Sequence, residues 1–325
     1  IFSLSMNKVN KENVSWGVNA DVITPEGCFN IGSGSILNKK SRIVKINTIE
    51  RSQIELSKII KISWITPQML LLFHTNMREK RQFIDRLVNY LNPTHISYIY
   101  KFEKLVRERS KILMDFTYDE LWVDSLEKNI VDLAISIIKN RDDLISEVNK
   151  INNKKINSVG DSFFPIVKLG LEGEAEELFF SNNESEYKGK FIKILKDNRK
   201  NNCLFFPGPH KTAVNIINVK SNKEISLCST GEQKIMLISL ILHHSKLLEE
   251  HHNSPPILLL DDIVEHLDFN HKEALFKEIS KYKAQCWFTS TDLKFFESFP
   301  TPYEAISVDE LKSTPNYYSK ELIYA

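Results

Sequence analysis

The spacing of apolar positions changes character twice along this chain. Residues 14–23 alternate around Trp16 and Val18, Pro25-Glu26-Gly27 reads as a turn, and residues 42–46 alternate again. A period of two is the pattern of half-buried strands, so the first ~65 residues are expected to be β-rich. A further apolar run at 59–65 ends at Thr66-Pro67. From residue 77 to about 152 Gly and Pro nearly vanish and apolar residues recur at helical spacing. Phe83, Leu87, Tyr90 and Leu91 mark one stretch, and Phe102, Leu105, Val106 and Leu113 a second. Leu126, Ile130, Leu133, Ile137, Ile138, Leu144 and Val148 continue the pattern. Two or three long helices are expected, broken near Asn92-Pro93 and between Asp115 and Tyr118.

Residues 151–160 are polar and rich in Asn and Lys, as in a linker. The carboxylates Glu172, Glu174, Glu176 and Glu177 read as a solvated helix start, since nothing nearby completes a metal cage. After Cys203 the pattern alternates between strand and helix. Strand-like runs at 225–227, 257–260 and 285–288 flank helical runs at 232–251 and 271–282. That alternation predicts a parallel sheet with crossover helices.

Composition narrows the function classes. Apolar residues make up 42% and charged residues 26% of the 325, so the chain is globular rather than disordered. Lys and Arg number 43 against 42 Asp and Glu, a formal charge of +1, so nucleic-acid binding would need a local patch. Arg78, Lys80, Arg81 and Arg86, with Lys101, Lys104, Arg107, Arg109 and Lys111, form the one locally basic helical stretch. It is either a solvated face or a surface for phosphates. Cys28, Cys203, Cys228 and Cys286 form no C-x-x-C pair, which points to a reducing compartment, the cytoplasm. The apolar runs at 235–242 and 257–260 fall far short of the ~20 residues of a membrane helix, so no membrane role is expected. The chain opens on Ile1 and reads there like mid-protein sequence, and we expect it to be incomplete at the amino terminus. His243, His244, His251 and His252 lack an i,i+4 pair and read as surface histidines rather than zinc ligands.

Two segments carry chemistry. Pro256-Ile257-Leu258-Leu259-Leu260-Asp261-Asp262 combines four large aliphatics, as in a strand buried on both faces, with two carboxylates at its end. Open α/β sheets bind ligands at that end. In a Walker B role Asp261 would hold Mg²⁺, and Asp262 would polarise the attacking water. A buried strand followed by an acidic turn has the same appearance. Upstream, Ser229-Thr230-Gly231-Glu232-Gln233-Lys234 leads into a nearly all-apolar helix. Its free N–H groups could bind an anion, and a plain serine or threonine cap is equally consistent with the residues.

In this order the two segments resemble the signature and Walker B of ATP-binding-cassette ATPases, and residues 227–234 closely resemble the signature of the RecF family. Asp261-Asp262 with Glu265-His266-Leu267-Asp268 is similar to that family's Walker B and D-loop. Pro67-Gln68 with Lys80-Arg81-Gln82-Phe83-Ile84-Asp85-Arg86-Leu87 resembles its Pro-acid and Arg-Arg-x-Phe-Leu-Asp block. Gly208-Pro209-His210-Lys211 resembles its Gly-Pro-His-Arg block. Gln68 and Lys211-Thr212-Ala213 depart from it, and none of the ten glycines lies in a G-x-x-x-x-G-K-[ST] frame. Gly27 and Gly32 have the first spacing, but Ser33 and Gly34 follow.

The resemblance implies an α/β fold, an ABC/SMC-type ATPase head with an inserted helical lobe. Residues 1–65 and 195–325 would form the head and 66–194 the lobe. It implies ATP and Mg²⁺ as cofactors, and a homodimer in which Ser229, Thr230, Gly231, Glu232 and Gln233 act on the partner's nucleotide. Asp268 would be the D-loop acid, and Arg78, Lys80, Arg81, Arg86, Lys104, Arg107 and Arg109 would contact DNA. The implied activity is that of a weak, DNA-stimulated ATPase at single-stranded or gapped DNA, in recombinational repair, replication restart and the SOS response, with RecO and RecR as partners. The alternative is a non-hydrolysing DNA-binding or scaffold remnant that has lost its phosphate loop.

Overall fold

The structure, a computed structural model, describes residues 16–35, 42–69, 76–115, 118–157, 164–201, 203–252, 255–264, 267–283 and 285–307, with the side chains of 152–157 left undescribed. Four antiparallel strands come first: β1 (Trp16–Thr24), β2 (Gly27–Ser35), β3 (Ile43–Ile46) and β4 (Ile49–Arg51), paired in that order. Helix α1 (Gln53–Ile59) follows, closed by a capping box in which Ser52 and Glu55 bond each other's backbone N–H. Its presence confines the expected strand at 59–65 to β5 (Ile62–Ile65).

Next come α2 (Met77–Leu91), α3 (His95–Met114) and α4 (Glu120–Asn157). The long apolar series carries α4 through Asn157, so residues 151–157 are helix rather than linker. Strand β6 (Val167–Glu172), helices α5 (Glu174–Phe180) and α6 (Glu184–Lys200), and strands β7 (Ala213–Asn218) and β8 (Lys223–Glu224) come after it. β6, β7 and β8 form a second antiparallel sheet. Residues Ile225–Leu227 make a single 3-10 turn instead of a strand. The last elements are α7 (Thr230–His252), β9 (Ile257–Leu260), α8 (Phe269–Ile279) and β10 (Cys286–Phe288).

β9 lies between β5 and β10 and is parallel to both, with Leu258 facing Ser63 and Cys286. Leu258 and Leu260 are buried and Ile257 and Leu259 half-buried, so a run of four aliphatics suits this central parallel strand. Around this sheet one core gathers Ile65, Phe83, Ile84, Leu87, Leu144, Val148, Met236, Leu237, Leu258 and Leu260. α2 buries its apolar stripe in this same core, against α4, α7 and β7. A second core joins α3, the first half of α4, α5 and α6 through Phe102, Ile130, Ile138, Tyr187 and Phe191.

The two cores meet at a buried polar cluster. Asp85 of α2 accepts from Arg141 Nε (2.7 Å) and Nη2 (2.9 Å), and His95 Nε2 lies 3.0 Å from its Oδ1. Asn140 Nδ2 sits 3.3 Å from His95 Nδ1. Arg141 Nη1 reaches the carbonyl of Pro209 at 2.7 Å and Thr212 Oγ1 at 3.2 Å. Burial alone would push the Asp85 carboxyl up, but Arg141 and His95 outweigh that and hold it below the usual carboxylate range. His243 and His244 are buried as well, because the middle of α7 packs into the core, so the surface expectation fails for them. His244 Nε2 lies 2.9 Å from the Leu87 carbonyl.

Asp85→Ala should cost about 3–5 kcal/mol, because Arg141 would remain buried and unpaired; urea unfolding measures it. Stability should also fall in acid. Burial depresses His244 and His210 from 6.5 to about 4, so the unfolded chain binds their protons first. Their contribution is complete above 6.5 and is lost as pH drops towards 4. The pH dependence of the urea midpoint should flatten by about one proton in His244→Gln; an unchanged slope would contradict this.

Candidate functional site

Three strands end together beneath the acidic pair. Asp261 N–H donates to the Ile65 carbonyl at 3.0 Å, and Thr289 N–H donates to the Leu260 carbonyl at 3.1 Å. The ends of β5, β9 and β10 therefore stay in register one residue beyond the ladder. Thr289 then bonds both acids: its Oγ1 donates to Asp261 Oδ1 (2.6 Å) and accepts from Asp262 N–H (3.0 Å). Asp262 has φ 49, the left-handed region that Asp tolerates better than most non-glycine residues. That turn lifts its side chain off the strand direction. Lys234 of α7, nearly buried, donates Nζ to the Asp262 carbonyl at 3.3 Å. Among the described residues no group of three or more His, Cys, Asp or Glu could hold a metal. Two carboxylates with an open side suit Mg²⁺ only where phosphate oxygens and water supply the rest of its shell.

The start of α7 is a second capping box. Ser229 N–H and Oγ both donate to Glu232 Oε2 at 2.8 Å, and Glu232 N–H donates to Ser229 Oγ at 3.3 Å. These bonds hold the Glu232 carboxyl below its usual range. Thr230 and Gly231 follow as the first helical residues, both exposed, and a Cβ on Gly231 would meet nothing within 4 Å. Gln233 is different: it is 1% exposed and donates Nε2 to the Cys228 carbonyl at 3.0 Å. Its side chain braces its own loop and does not share the exposed helix start with Thr230 and Gly231. Asp268 caps α8 by accepting from His271 N–H, while Glu265 and His266 lie outside the described residues.

The basic stretch divides. Arg109 is fully buried, its Nε 2.8 Å from Glu127 Oε1 and its Nη2 2.9 Å from the Leu195 carbonyl. Lys80 is buried against Glu224 at 3.0 Å, and Arg86 lies 4.1 Å over the Trp64 ring. Carboxylates from remote segments hold Lys80 and Arg109 inside, whereas Arg86 is half-buried on its ring. Arg81 is half-buried, donating Nη1 to the Thr212 carbonyl at 2.7 Å. Arg78, Lys104 and Arg107 are exposed, and Lys101 and Lys111 share the outer face of α3 with the last two. Of the carboxylates at α5, Glu176 is buried on Thr212 rather than solvated.

Local sequence missed Thr289, which belongs to no motif; only its place at the end of a strand beside β9 could have pointed to it. Thr289→Val, isosteric but unable to bond, should free both acids to water and cost about 1 kcal/mol or less. Thr289→Ser should keep most of that stability in the same urea titration.

No protein-family model matches the chain. The chain is 30% identical over 299 residues to the DNA replication and repair protein RecF of Agrobacterium fabrum, covering 90% of this chain and 78% of the relative. It is 29% identical over 274 residues to the protein of the same name from Rickettsia canadensis, covering 84% and 75%. The Rhizobium meliloti counterpart is 30% identical over 279 residues, covering 84% and 74%. Two solved structures of the recombination mediator protein RecF, one of them its ATP form, share the fold with TM-scores of 0.68. They are 17% and 18% identical, and cover 88% and 89% of this chain and 77% and 78% of theirs. A RecF-like ATPase-head fold, an acidic strand end joined to a capped glycine-bearing helix, and a relative matched over most of both lengths lead to one conclusion: the chain belongs to the RecF family.

Proposed function

We propose that this chain is the part of a RecF-like repair protein that carries the signature and Walker B, coupling ATP to the binding of single-stranded or gapped DNA. The reading rests chiefly on the Asp261-Asp262 turn, held by Thr289 and tied through Lys234 to the helix that begins at Ser229 and Thr230. Asp261 would help to hold Mg²⁺, and Asp262 would orient a water at the γ-phosphate. Ser229, Thr230 and Gly231 would serve the nucleotide of a second copy in an ATP-dependent homodimer. Arg78, Lys104 and Arg107 would contact phosphates. Recombinational repair, replication restart and the SOS response, with RecO and RecR as partners in the cytoplasm, complete the proposal. Among the described residues no helix is long and apolar enough to cross a membrane.

The absent G-x-x-x-x-G-K-[ST] frame favours a second reading for the chain as it stands, that of a DNA-binding form that does not turn over ATP. Purified chain should show no hydrolysis with Mg²⁺ and DNA present. Turnover that Asp262→Asn abolishes would overturn this second reading and support the first. DNA binding itself is tested by anisotropy over a salt series. Lys104→Ala with Arg107→Ala should weaken binding to every DNA form and reduce the salt slope by about two. If the wild-type chain binds no DNA, the proposal fails.

A further inference from the structure

The turn between α6 and β7 holds an aromatic ring in water. Phe205 is 76% exposed, whereas its neighbour Phe206 is buried against Phe191 and His210. The backbone beneath the exposed ring is fixed. Its carbonyl accepts from Asn198 Nδ2 at 3.0 Å and from Cys203 Sγ at 3.3 Å. Lys211 brings its Nζ within 5.4 Å of the ring centroid, inside cation–π range.

The next carbonyl along the chain, that of Thr212, accepts from Arg81. Arg81 forms no ion pair among the described residues, although it is half-buried. The nearby carboxylates are engaged elsewhere: Asp85 by Arg141, and Glu176 by Thr212. Lys211 at the ring and Arg81 on the carbonyl of the following residue therefore place two cations on this turn, with exposed Arg78 beside Arg81. Desolvation and the neighbouring Arg141 depress the Arg81 guanidinium, as expected for a cation short of counter-charge.

An apolar peptide would find a single ring beside a cation here. Duplex DNA presents phosphates but keeps its base faces stacked. A single strand offers both an unstacked base face and flanking phosphates. We propose that Phe205, Lys211 and Arg81 form a base-stacking and phosphate-binding site for single-stranded DNA. This rests on the DNA-binding reading above and adds the residues that would select the single strand. A base stacks on Phe205, and Lys211 and Arg81 take the phosphates on either side.

The test is fluorescence anisotropy with labelled oligo(dT), oligo(rU) and a duplex, using the chain and surface variants. Phe205→Ala should weaken oligo(dT) binding roughly tenfold and leave duplex binding nearly unchanged. Phe205→Trp should restore it, with indole fluorescence quenched as the strand binds. Lys211→Ala should weaken single-strand binding and lower its salt slope by about one. If wild type binds DNA and Phe205→Ala either changes nothing or weakens duplex equally, the site is wrong while the DNA-binding reading stands. Oligo(rU) bound as tightly as oligo(dT) would overturn the assignment to DNA. Absence of all DNA binding by wild type would sink both.

Discussion

Asp85 is a carboxylate that water cannot reach, and much of the molecule is arranged to satisfy it. A buried charge of this kind is tolerated only with a well-aligned partner and further hydrogen bonds. Arg141 supplies a two-pronged bond and His95 a third contact. Because Arg141 also holds the Pro209 carbonyl and Thr212, one residue of α2 governs where α3, α4 and the turn before β7 sit. Two of the four sequence blocks typical of the family, the one around Asp85 and the one at Gly208 to Lys211, thus meet in space.

The same helix extends this frame in two more directions. Arg86 lies on Trp64, whose strand pairs with β9 just before the acidic turn. Lys80 holds Glu224, a few residues ahead of the capped start of α7. Lys234 closes the circuit by reaching the Asp262 carbonyl. The acidic pair and the glycine-bearing helix start are thereby set at a defined relation within one chain. Lys80 and Arg86, two of the cations that form one basic stretch in the sequence, are fastenings of this frame.

What remains outside is a sparser positive surface. A chain whose charges cancel to +1 can still bind a polyanion if its cations are sorted by position. Burial does this sorting, spending Lys80 and Arg109 on internal partners while Arg86 stays half-buried on Trp64 and Lys101, Lys104, Arg107 and Lys111 stay in water along α3. Arg81 lies between the two groups, anchored on one side and without a carboxylate on the other.

The sequence alone determined the elements whose cause is local. Four aliphatics before two acids specify a central parallel strand, because flanking strands and packed helices cover one of its faces fully and the other in part. The apolar series of α2, α3 and α4 was legible for the same reason, as were the serine and glycine at the start of α7. Tertiary structure decided everything that depends on a partner remote in the chain. Arg109 finds Glu127 one helix away, Lys80 finds Glu224 across 144 positions, and Thr289 meets Asp261 only because β10 pairs with β9. A lysine or arginine on a helix shows no sign in its neighbours of whether it will be solvated or buried. That depends on whether folding brings an opposite charge within hydrogen-bond reach, and the difference is several kcal/mol per ion.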